Sequence, residues 1–80
     1  MPKLDLSRTA VTSAGVANLT KLHSLEELSL AETRIDDEAL PHLQRLGQLR
    51  DLDLWETTVT NAGVKALQEA LPECKISWGG

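Results

Sequence analysis

Asp36, Asp37 and Glu38 are three consecutive carboxylates, and such a cluster is the first place to look for general acid–base chemistry. They follow Ile35 where a helix would begin, and acids crowd helix starts because the aligned peptide dipoles leave partial positive charge there. The cluster therefore reads as capping. His23 and His42 stand apart, on a loop and a helix, and neither is paired with Cys or an acid at metal-ligand spacing. No Ser has a nucleophile-elbow context, and Cys74, the single cysteine, has no His within a recognisable motif. Gly15 and Gly63 occur singly rather than in a phosphate-cradling loop, so each reads as a close-packing or tight-turn glycine. The expectation is no enzyme, no cofactor and no metal.

The elements that hold these residues are copies of one another. Shifting Leu25–Leu46 back by 24 residues carries Leu28, Leu30, Thr33, Ile35, Leu40, Leu43 and Leu46 onto Leu4, Leu6, Thr9, Val11, Val16, Leu19 and Leu22. The same step forward carries the first six onto Leu52, Leu54, Thr57, Val59, Val64 and Leu67, with Ala70 replacing Leu46. A fixed period of this length marks a solenoid, in which no unit can bury its apolar face alone. The units are 1–24, 25–48 and 49–72, and 73–80 forms a C-terminal capping strand. Units one and three match each other more closely than either matches the second, as recent copying or deliberate consensus construction would produce.

Within each unit the apolar period switches from two to that of a helix. Leu4 and Leu6 alternate with Lys3, Asp5 and Ser7; strands are also expected at Glu27–Ala31 and Asp51–Trp55, and last where Cys74, Ile76 and Trp78 alternate with Glu73, Lys75 and Ser77. Thr12 and Thr60 are placed as N-caps, the latter of a helix over 61–70. Pro41 lies too deep for a helix capped at Asp36, which predicts a turn at 36–39 and a short helix starting near Pro41. Trp78 reads as an inward plug on the final strand, and Cys74 as a small buried filler. Met1 occupies the position of Leu25 and Leu49, so the first unit opens without a polar cap.

Composition narrows the function. Twelve acidic against eight basic residues give a net charge of -4, which argues against nucleic acid. No run resembles a signal peptide or membrane span, and the default compartment is the cytoplasm. Apolar content of 41% is nearly all Leu, Val, Ile and Ala, the uniformity that identical stacked layers demand.

The pattern LxxLxLxxTxVT followed by AGVxxL resembles leucine-rich repeats, and the 24-residue step with Thr-x-Val/Ile-Thr/Asp is similar to the type abundant in bacterial proteins, related to the cysteine-containing repeats. The tail ALPECKISW is similar to the way such bacterial arrays finish. That resemblance implies an α/β fold: a short right-handed solenoid with a parallel sheet of about four strands on a concave, protein-binding face and helices on the convex face. It also implies that Thr9, Thr33 and Thr57 take the place of a side chain that bonds the neighbouring unit's backbone.

If the leucines point inward, the residues between them form three outward columns: Lys3, Glu27, Asp51, Lys75; Asp5, Ser29, Asp53, Ser77; and Ser7, Ala31, Trp55, Gly79. This face is acidic at its centre. Trp55 stands among small residues with Glu32 and Glu56 beside it, and an exposed Trp framed by polar groups is the type most enriched at binding hot spots. The candidate partner-binding residues are Asp5, Glu27, Ser29, Asp51, Asp53, Trp55 and Glu56, on a module for protein–protein interaction. The alternative is a structural or self-assembling piece that forms a homo-oligomer through its uncapped N-terminal edge.

Overall fold

Leucines alternating with polar residues give four short strands, β1 (Lys3–Asp5), β2 (Glu27–Ser29), β3 (Asp51–Trp55) and β4 (Lys75–Gly79). The structure is a computed structural model and describes residues 3–79; the equivalence of Met1 with Leu25 and Leu49 lies outside them. All pairings are parallel in the order β1-β2-β3-β4. Leu4 faces Leu28, Leu28 faces Leu52 and Leu52 faces Ile76, so each strand is displaced from the last by the predicted 24 residues. The chain is thus α/β, with a four-stranded parallel sheet and three α-helical segments.

The helical period after each strand is satisfied differently in each layer. α1 (Ser13–Val16) is one turn that tightens into a 3-10 helix over Ala17–Lys21. The second layer has a 3-10 turn over Asp37–Ala39 and then α2 (Leu40–Leu43). Pro41 sits in the first turn of α2, where its missing N–H leaves no bond unmade, as the sequence predicts. α3 (Asn61–Ala70) has no such interruption and is the longest helix. Thr60 caps it, accepting from the Gly63 N–H at 3.1 Å, whereas Thr12 occupies the same position before α1 without a side-chain cap bond.

Leu30, Ile35, Leu43, Leu46, Leu52, Leu54 and Leu67 are fully buried between sheet and helices. Each such side chain stabilises the fold by roughly 1.5–3 kcal/mol relative to exposure. Cys74 joins this core at 3% exposure, the filler role expected of it. Trp78 opposes Leu54 across the β3–β4 ladder but keeps 37% of its surface exposed, so it covers the C-terminal end only partly. Its indole N–H donates to the Val59 carbonyl at 3.0 Å, which ties the end strand to the loop before α3.

The same backbone device follows each of the first three strands. Arg8, Glu32 and Glu56 adopt left-handed conformations, with φ of 58°, 57° and 56°. Their N–H groups donate to the carbonyls of Ala31, just past β2, Trp55 on β3 and Gly79 on β4, at 2.9, 2.8 and 2.9 Å. The turn that starts each return path is therefore also its last link to the sheet.

Candidate functional site

The outward columns form as the alternation requires. Glu27 pairs with Lys3 and Asp51, and Asp51 with Lys75; Ser29 pairs with Asp5 and Asp53, and Asp53 with Ser77. Glu27, Ser29, Asp51 and Asp53 line one open depression of about 170 Å³, together with Lys3, Leu4 and Leu28. Two acids from the first column and one from the second thus face a common space at the middle of the sheet. Asp5 lies on β1 outside that lining, and Trp55 and Glu56 lie beyond it at the end of β3.

Asp5 and Asp53 share another task. The Asp5 Oδ1 accepts from the Ser7 N–H at 2.9 Å and the Ser7 hydroxyl at 2.6 Å. In the same way the Asp53 Oδ1 accepts from the Trp55 N–H at 3.0 Å. Such local bonds fix the chain as it leaves a strand. The Ser7 hydroxyl, and after it the Ser7 amide, holds the Asp5 carboxyl below its ordinary value, so it is ionised at neutral pH. Asp53 contributes its charge to the depression and sets the backbone that carries Trp55.

Trp55 is 48% exposed, the most of any large apolar side chain described. It faces Gly79 across the β3–β4 pair, and a Cβ at Gly79 would collide with the six-membered part of its ring. The indole therefore leans over β4, on the one residue type that admits it, rather than over Ala31 or Ser7. Ala31 in the same column is itself buried at 8% exposure. Glu56 is exposed next to the ring, while Glu32 is held by Arg8 at 2.9 Å across a surface ion pair.

Two sets of cross-layer contacts are absent from the sequence reading. The Asp36 Oδ1 caps the Glu38 N–H at 3.0 Å, as expected of an acid there, but also accepts from the Ser13 hydroxyl at 2.8 Å in the layer before. Asp37 points the other way, accepting from the Thr60 N–H at 2.8 Å and the Thr60 hydroxyl at 2.7 Å. The acidic run is a clasp between layers as well as a cap. Conversely, the Thr9, Thr33 and Thr57 hydroxyls do not reach a neighbouring layer. Each donates to the carbonyl three residues back, on Leu6, Leu30 and Leu54, at 2.6, 2.7 and 3.0 Å. A threonine hydroxyl stands one bond from Cβ, which suits the carbonyl of its own turn; Thr58, one residue later, makes the cross-layer bond instead, to Ile35 O at 2.6 Å.

The strand β2, the left-handed Glu32, the buried Thr33 and the acidic clasp fall in one stretch. Residues 21–41 match the family model for the leucine rich repeat. No curated protein matches the chain. Within the matched stretch Leu28 and Leu30 are enclosed, at 3% and 0% exposure, whereas Leu22 is 45% exposed. Among the described residues no helix is long and apolar enough to cross a membrane, and no group of three His, Cys, Asp or Glu side chains is arranged to hold a metal.

Proposed function

We propose that the chain is a short right-handed solenoid of units 1–24, 25–48 and 49–72, closed by the strand 73–80, and that it serves as a non-catalytic protein-interaction module. Its sheet is the concave face, and its partner is a protein segment carrying positive charge. The observation that carries this reading is Trp55, held 48% exposed over Gly79 beside an acid-lined depression. A ring already braced against its own backbone loses little freedom on binding, and aromatic anchors of this kind dominate interface energetics. Glu27, Asp51 and Asp53 supply the complementary charge, with Asp5, Ser29 and Glu56 at the margins.

The test uses a short extended peptide of alternating arginine and leucine, with an aspartate-for-arginine peptide as control. Titration followed by amide chemical shifts is expected to move Glu27, Asp51, Asp53 and Trp55 with the basic peptide only. Trp55→Ala and Asp53→Ala should each weaken that response, Trp55→Ala by tenfold or so, the loss of about 1.4 kcal/mol. Shifts scattered over the helices, or unchanged affinity in both variants, would remove the sheet face from consideration.

A further inference from the structure

Among the described residues, the layer that begins at β1 is covered on one side only. Leu4, Leu6, Val11 and Leu19 are half-buried, whereas Leu28, Leu30, Ile35 and Leu43, their equivalents 24 residues on, are 3%, 0%, 0% and 0% exposed. Leu22 is 45% exposed and its equivalent Leu46 is 0% exposed. Among the described residues no strand pairs with the outer side of β1.

The direction and charge of that edge select its occupant. Leu6 donates its N–H to Ser29 of β2, so the alternate backbone groups of Lys3 and Asp5 point away from the sheet. A second copy laid head-to-tail in the same 24-residue register would set its Lys75 beside Lys3, and like charges directly opposite are destabilising. A second β1 run antiparallel about Leu4 does the reverse. Lys3 then lies opposite Asp5 of the other copy, Asp5 opposite its Lys3, and Leu4 against Leu4 on the side away from the charges. The pattern is self-complementary, as an isologous twofold contact must be.

We infer that two copies of this chain pair through antiparallel β1 strands centred on Leu4, forming a continuous eight-stranded sheet and covering the apolar end at Leu6, Val11, Leu19 and Leu22. Lys3 and Leu4 also border the depression, but the pairing uses the outer edge of β1, and the inference stands without the partner reading above. Sedimentation equilibrium of the 80-residue chain over a concentration series is expected to pass from the 8.7 kDa chain mass to twice that value and stop. Lys3→Asp and Asp5→Lys, each setting like charges opposite one another, should each return the mass to that of one chain. The double exchange, Lys3→Asp with Asp5→Lys, should restore the dimer. Circular dichroism on every variant establishes that the fold is kept. A chain that stays monomeric throughout, a mass that climbs past two copies, or single variants that dimerise as well as the parent would each overturn the inference.

Discussion

Asp37 holds Thr60 by both oxygens, Oδ1 taking the backbone N–H and Oδ2 the hydroxyl, while that same hydroxyl accepts from Gly63. One carboxylate thereby orients the cap of α3 from the layer before it, and hydrogen bonds in such a chain reinforce one another.

The clasp makes stability acid-sensitive. The Thr60 hydroxyl, and next its amide, lowers the Asp37 carboxyl from its ordinary 3.8. A folded-state value below the unfolded one means that this stabilisation is fully present above about pH 4 and is lost as pH falls through the folded value. Asp37→Ala should lower the neutral-pH melting temperature by about 5 °C, equivalent to roughly 1 kcal/mol for a domain of this size. It should also flatten the acid limb of the stability curve. Thermal unfolding followed by circular dichroism across the acid range measures both, and an unchanged limb would show that the clasp contributes nothing in solution.

Gly63 and Gly15 share a repeat position but not an environment. A Cβ at Gly63 would lie 2.5 Å from the Asp37 Oδ1 and 2.7 Å from the Leu40 Cδ1, whereas at Gly15 its nearest neighbour is Val11 Cγ2 at 3.0 Å. Replacing glycine by alanine in a helix favours folding by up to about 1 kcal/mol. Overpacking of a fixed neighbour reverses that by about 1–3 kcal/mol. Gly63→Ala should therefore lower the urea midpoint. Gly15→Ala, against a half-buried valine at the open end, should leave it unchanged or slightly raised.

Burial, and next the charge of Asp51, pushes the Cys74 thiol up to about 11 from an ordinary 9.0. At pH 8 the thiolate fraction then falls about a hundredfold, and alkylation by iodoacetamide should slow by at least that factor relative to the unfolded chain. Since the folded chain keeps a proton that the unfolded chain has lost, stability should decline as pH rises above about 9 and level off past about 11. A rapid reaction at pH 8 would mean that the C-terminal strand opens readily.

Glu56 sits at a φ of 56°, a conformation that glycine adopts freely and β-branched residues resist. Glu56→Gly is expected to raise stability by about 0.5–1 kcal/mol, and Glu56→Val to lower it by about 1–2 kcal/mol. Chemical denaturation of the pair gives the comparison. Equal stability would mean that the turn relaxes at no cost.

Leucine alternation was enough to foretell the strand order and register, because a period of two fixes which face each side chain takes and a fixed repeat fixes its neighbour. Pro41 likewise announced where α2 could begin. The left-handed turn at Arg8, Glu32 and Glu56 was hidden, since arginine and glutamate carry no signal for positive φ. The direction of the Asp36 and Asp37 side chains was hidden for another reason: helix capping and bridging between layers call for the same residue types. On the sheet face, alternation assigns Trp55 to the outside, but the seat offered by Gly79 depends on how two strands meet.

The clasp has a directional grammar. Hydroxyl donors, Ser13 and Thr60, flank a carboxylate pair that faces both ways, so each seam joins unlike partners. Appending identical modules would forfeit these bonds: hydroxyl beside hydroxyl would lack the anionic acceptor, and carboxylate beside carboxylate would repel. Lengthening by alternation, with an acid-bearing segment after each hydroxyl-bearing one, would keep the clasp at every new seam.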